Sequence, residues 1–201
     1  MIRVLLADDQ ALVRGALASM LRLEPDIDVV AEVGSGLDVG PAARRTTPDV
    51  ALLDVQMPGR DGLAVTAELR HAMPACRVLI CTTFSRPGYL ARAMSAGAAG
   101  FVVKDSRPEQ LLNAIRRVHA GLRFIDPALA AESLATGTSP LTDREADVLR
   151  ATAEGGTVAD IARALDLTAG TVRNHLSSAI GKTEARTRAE AARLAEINGW
   201  L

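Results

Sequence analysis

Five side chains stand where apolar runs end. Asp8 and Asp9 follow the run 2–7, Asp54 closes 50–54, Thr82 lies at the end of 77–83, and Lys104 follows 100–103. If the first and third runs are neighbouring parallel strands, their tips bring three carboxylates together. Like charges that close are unfavourable unless protons or a cation compensate them. An all-oxygen set of this kind suits Mg²⁺, which takes few carboxylates, keeps waters and pairs with phosphate. A hydroxyl from Thr82 and a fixed cation from Lys104 on the same rim complete a site for a phosphoryl group attached to one of the carboxylates. An acid at a strand tip is often only a helix cap, and a lysine there only a solvated end. All five in order along the chain favour the joint reading.

A second constellation lies between residues 158 and 188. Val172, Leu176 and Ile180 recur at i, i+4 and i+8 and bury one face of a helix that Thr168 can cap. Arg173, Asn174, Ser177, Ser178 and Gly181 then point outward. Arginine and asparagine match guanine and adenine edges, so Arg173, Asn174 and Ser177 are the candidates for base contacts. Thr168, Thr171 and Lys182, with Arg186 and Arg188, are placed to hold phosphates. The alternative is a packed helical bundle whose Arg173 is a solvated charge. Charge tempers the DNA reading: residues 139–201 carry 8 Lys and Arg against 9 Asp and Glu. The cationic surplus is local, with Arg173, Lys182, Arg186 and Arg188 against Glu184 over 168–188. Few phosphate contacts per subunit imply weak binding by a monomer, which pairing on adjacent half-sites would offset.

The elements that must position these residues follow from hydrophobic period. Strands are predicted at 2–7, 29–33, 50–54, 77–83 and 100–103, each a near-continuous apolar run as in parallel strands buried on both faces. Helical patterns fall between them at 11–23, 36–45, 62–71, 88–96 and 108–120, the last opened by a Ser106-to-Glu109 capping box with Pro108 in its first turn. The fold class is therefore α/β, a doubly wound five-stranded parallel sheet of flavodoxin-like type over residues 1–121. A linker is expected over 122–139, with a short helix at 128–134. The strands then stop, and residues 140–201 form a second, all-α domain of four short helices, three of them opened by Ser/Thr-x-x-acid caps at Thr142, Thr157 and Thr187.

Composition agrees with a globular chain: of 201 residues, 48% are hydrophobic and 23% charged. Aromatics at 2% argue against sugar-stacking or base-stacking surfaces, and a net charge of −1 advertises neither nucleic acid nor membrane globally. The apolar start is too short for a secretion signal, and no stretch approaches the roughly 18 apolar residues of a membrane span, so no membrane insertion is expected. Cys76 and Cys81 form neither a metal-ligand set nor a disulfide framework. A cytoplasmic location is expected.

The pieces Leu5-Leu6-Ala7-Asp8-Asp9, Leu52-Leu53-Asp54-Val55-Gln56-Met57-Pro58-Gly59, Asp61-Gly62, Thr82 and Phe101-Val102-Val103-Lys104 resemble the receiver domain of two-component response regulators. That resemblance implies phosphorylation of Asp54 by a sensor histidine kinase. It also implies Mg²⁺ held by Asp8, Asp9, Asp54 and the backbone carbonyl of Gln56, with Lys104 and Thr82 on the phosphoryl oxygens. Thr82 and Phe101 are the implied switch pair, and Phe101 stands where many receivers carry tyrosine. Leu141-Thr142-Asp143-Arg144-Glu145, then Thr171-Val172-Arg173-Asn174-His175-Leu176, then Lys182 and Arg188, resemble the LuxR-type output domain. The whole chain thus resembles the NarL/FixJ family, transcription factors that bind double-stranded promoter DNA as homodimers once activated. The recognition helix would span 172–182 and the last helix, 187–197, would pair two output domains. A narrower similarity to the DesR-like subgroup lies in Thr82-Thr83-Phe84-Ser85-Arg86-Pro87-Gly88-Tyr89-Leu90 and in Asn198-Gly199-Trp200.

No enzyme acting on external substrate is expected. A dehalogenase-like phosphatase would want a second aspartate two positions after the nucleophile, and Gln56 stands there. Flavin binding would want a Ser/Thr/Gly phosphate loop after the first strand, and Asp8-Asp9-Gln10 stands there instead.

Overall fold

The computed structural model describes residues 1–83, 87–127, 129–130 and 139–201, without the side chains of Pro87 and Gly88. The chain forms two compact units, one built largely from residues 1–130 and the other largely from 131–201. The helix expected at 128–134 falls mostly outside the described residues, as do Phe84, Ser85 and Arg86.

In the first unit six parallel strands take the order β2-β1-β3-β4-β5-β6. They are β1 (Ile2–Ala7), β2 (Ile27–Val33), β3 (Val50–Leu53), β4 (Arg77–Thr82), β5 (Gly100–Val103) and β6 (Phe124–Ile125). The sheet was expected to have five strands; β6 adds a sixth, two residues long, inside the stretch read as linker. It pairs Gly100 with Phe124 and Phe101 with Ile125. Between the strands lie α1 (Ala11–Leu21), α2 (Gly36–Thr46), α3 (Gly62–Ala72), α4 (Pro87–Ser95) and, after β5, α5 (Pro108–His119).

Alternate strand residues feed two cores. Val4, Leu6, Val50, Leu52, Leu79, Cys81 and Val102 pack with Ala18 and Leu21 of α1 and with Leu111, Leu112 and Ile115 of α5. Leu5, Leu53, Ile80 and Phe101, all fully buried, point to the opposite face. Right-handed crossovers place α2, α3 and α4 there. The cap of α5 differs from expectation. Proline prefers the first helical position, so Arg107 becomes the N-cap and its amide donates to Gln110 Oε1 at 3.2 Å. Ser106 instead reaches Asp126.

The second unit contains α6 (Asp143–Ala153), α7 (Val158–Ala164), α8 (Ala169–Lys182) and α9 (Arg188–Ile197). Thr142, Thr157, Thr168 and Thr187 each accept a backbone N–H three residues on. The turn between α7 and α8 passes through Asp166 in the left-handed region at φ 53°. The core draws Val148 and Leu149 from α6, Ile161 and Ala162 from α7, Val172, Leu176 and Ala179 from α8, and Ala191, Ala192 and Ala195 from α9. Ile180, expected on the buried face of α8, is half-buried, and Ala179 takes the innermost position. Among the described residues no helix is long and apolar enough to cross a membrane.

Candidate functional site

Register builds the first site. β1 and β3 pair Ala7 with Leu53, so Asp8 and Asp54 leave their strands side by side, and the Asp54 amide donates to the Ala7 carbonyl at 2.9 Å. Asp54 lies one residue beyond its strand. β4 and β5 pair Thr82 with Val103, and the Lys104 amide donates to the Thr82 carbonyl at 2.8 Å. The carboxylate oxygens of Asp8, Asp9 and Asp54 come within 4.8 Å of one another. Asp8 and Asp54 are buried, whereas Asp9 is exposed.

Lys104 Nζ sits 2.7 Å from Asp8 Oδ2 and 2.7 Å from Asp54 Oδ2, with only 6% of its side chain exposed. Burial pushes its ammonium toward the neutral form, but hydrogen bonds to Asp54 and Asp8 outweigh that and raise its pKa above the ordinary lysine value. The Val55 amide donates to Asp54 Oδ1 at 2.6 Å, so both oxygens of this carboxylate are held. Thr82 and Phe101 are fully buried, and Gln56 is exposed. The structure therefore brings Asp8, Asp9, Asp54 and Lys104 into one cluster, with Thr82 at the adjoining strand tip and Phe101 in register with Ile80 behind it.

Sequence reasoning missed one residue here. Arg14 of α1 reaches back to donate to the Asp8 carbonyl at 2.5 Å. A Cβ on Gly34 would come within 3.1 Å of that guanidinium, so the glycine leaves the space in which Arg14 lies.

The second site is the exposed side of α8, where Arg173, Asn174 and Ser177 are in contact with solvent. Thr168 is exposed at its N-cap, 2.8 Å from the half-buried Thr171 hydroxyl. Lys182 is not free: it donates to Glu145 Oε2 at 2.7 Å. Glu145 escaped notice except as a capping residue. Burial pushes its carboxyl up, but hydrogen bonds from Lys182, Ser178 and Thr142 prevail and hold it at about 2. A carboxyl whose pKa falls on folding stabilises the fold above its unfolded value, and that stability is lost as pH falls from about 4.5 toward 2. Trp200, the one tryptophan, packs against this core and reports it. The melting midpoint followed by its fluorescence is expected to drop across that window, and Glu145→Gln to flatten the drop.

A parallel α/β unit with an acidic strand-tip cluster and a buried lysine, joined to a helix-turn-helix unit, defines a response regulator that controls transcription. The chain belongs to that family in its LuxR-type branch: the response regulator receiver domain matches residues 4–116, and the luxR family of bacterial regulatory proteins matches residues 139–195. It is 42% identical over 201 residues to the transcriptional regulatory protein DesR of Bacillus subtilis (strain 168), covering 100% of both chains. It is 35% identical over 201 residues to the DNA-binding transcriptional activator DevR/DosR of Mycobacterium tuberculosis (strain ATCC 25618 / H37Rv), covering 96% of this chain and 93% of that one. Among solved structures, the response regulator ChrA of a heme-sensing two-component system superposes with a TM-score of 0.60 at 32% identity, over 97% of this chain and 96% of that one.

Proposed function

We propose that Asp54 is the phosphoacceptor of a cytoplasmic receiver served by a sensor histidine kinase, and that its modification pairs two copies on promoter DNA. The observation that carries this reading is the Lys104 ammonium 2.7 Å from Asp54, inside a cluster of three carboxylates. An oxygen of the Asp54 carboxylate attacks the phosphorus of a phosphohistidine, the P–N bond breaks, and the imidazole leaves and takes up a proton. Asp54 is fitted to this role because the Val55 amide and Lys104 orient its two oxygens. Lys104 stays within reach of the transferred group, and Thr82 is placed to turn its hydroxyl toward it.

The donor set fits Mg²⁺, being all oxygen and in charge excess over its one lysine. Asp8, Asp9, Asp54 and the Gln56 carbonyl would hold the ion. Bound there, it supplies positive charge against the about −1.5 to −2 that phosphorylation adds. Thr82 then biases a two-state equilibrium through the fully buried Phe101, which must act by packing because it carries no hydroxyl.

In the output unit, Arg173, Asn174 and Ser177 read base edges, and Thr168 and Thr171 at the N-terminus of α8 take a phosphate. Sedimentation with and without beryllofluoride and Mg²⁺ tests the first half: the treated protein becomes a dimer, and equal monomers in both states sink the reading. Arg173→Ala tests the second, with an expected cost of about 1–3 kcal/mol concentrated at one base position of a selected operator. A loss spread evenly over all sequences makes Arg173 a phosphate contact instead.

A further inference from the structure

Glu145 belongs to α6 but spends its carboxylate on α8. It is 4% exposed. Oε1 accepts the Ser178 hydroxyl at 2.7 Å, while Oε2 accepts the Thr142 amide and the Lys182 ammonium, each at 2.7 Å. Residues four apart on a helix share a stripe. Asn174, Ser178 and Lys182 therefore form one row along α8, and Arg173, Ser177 and Gly181 the next. Glu145 ties down the far end of the first row and leaves Asn174 open at the near end.

Two consequences follow for a helix that reads DNA. Its rotation about its own axis is fixed from outside as well as by the core row Val172, Leu176 and Ala179. Its last-turn lysine is also occupied. Moving Lys182 to a phosphate would leave a buried carboxylate uncompensated, and breaking a buried pair in that way is strongly destabilising. A freed lysine would tighten binding to every sequence alike, since phosphate contacts carry no sequence information.

We propose that Glu145 is a specificity-determining positioning residue: by holding Ser178 and Lys182 it sets the pitch of α8 and withholds Lys182 from the DNA backbone. Discrimination then rests on Arg173, Asn174 and Ser177. This inference rests on α8 being the DNA-reading helix, and it withdraws Lys182 from the phosphate contacts expected from sequence.

The test titrates full-length wild type, Glu145→Gln and Lys182→Gln onto two labelled duplexes across a salt series. One duplex is of mixed sequence; the other is selected by the wild-type protein from a randomised pool. Glu145→Gln is expected to bind the mixed duplex more tightly, with a salt slope steeper by about 0.9 for each bound subunit. Its preference for the selected duplex falls roughly tenfold, the size of one base contact misplaced. Lys182→Gln, whose amide still donates to Glu145, keeps the wild-type slope on both duplexes.

A slope in Lys182→Gln shallower by about 0.9 per subunit shows Lys182 on a phosphate and overturns the proposal. So does a Glu145→Gln protein with the wild-type circular dichroism spectrum, slope and preference. Should Glu145→Gln fail to fold, the Lys182→Gln slope decides by itself. A wild-type protein with no salt-dependent affinity for either duplex fails differently, because it removes the DNA-reading role of α8 altogether.

Discussion

Asp54→Ala protein incubated with acetyl phosphate and Mg²⁺ gains no mass, whereas the wild type gains one phosphoryl group. The expected effect is complete loss, because the proposed reading assigns the attacking oxygen to Asp54 alone. Asp8 also meets Lys104, its Oδ1 accepts the Gln10 amide at 2.9 Å and Arg14 pins its backbone carbonyl, so the variant distinguishes the two buried carboxylates directly. Asp9 is exposed and lacks the lysine. Intact-protein mass spectrometry is the measurement. A phosphorylated Asp54→Ala protein would move the acceptor elsewhere and leave the strand-tip cluster as a metal site alone.

Gly62→Ala is the second large effect, and it acts through the backbone. A Cβ at residue 62 would lie 2.0 Å from the Asp54 carbonyl oxygen and 2.9 Å from its carbon, atoms that belong to the main chain and cannot swing aside. The Gly62 amide also donates to the Val55 carbonyl at 2.8 Å, so the loop after β3 is fastened to the start of α3 here. Overpacking of this kind costs about 1–3 kcal/mol, a drop of roughly 5–10 °C in the melting of the first unit. Circular dichroism reads the drop, with Trp200 fluorescence reporting the second unit as an internal control. The shift should also displace Asp54 and slow phosphoryl uptake from acetyl phosphate. A variant with wild-type melting and uptake shows that α3 can retreat from the loop.

These features differ in how far the sequence announced them. The carboxylate cluster was readable because parallel strands leave their tips on one edge, so apolar runs and the residues that end them suffice to place Asp8, Asp54, Thr82 and Lys104. The double ion pair of Lys104 was not, since it depends on a side-chain reach that strand period does not encode. β6 was hidden because two residues are too few to show alternation, and Phe124–Ile125 sat among linker-like neighbours. The start of α5 at Pro108 was legible, but its N-cap was misplaced by one residue because the Ser106-to-Glu109 spacing competes with the preference of Pro108 for the first helical position, which makes Arg107 the cap. In the output unit the Thr142-to-Glu145 box was plain from local spacing. The other two partners of Glu145 lie 33 and 37 residues away, and nothing local marks them.

The brevity of β6 bears on how two copies can join. A long open margin of a sheet offers a ladder of unpaired amides and carbonyls to any neighbouring chain, and short outer strands deny that template. Among the described residues the outer strand on that flank is Phe124 and Ile125 alone, which gives a second copy almost no main chain to zip onto. Any assembly through this end of the unit would then be a meeting of side chains, and not an extension of the sheet from one molecule into the next.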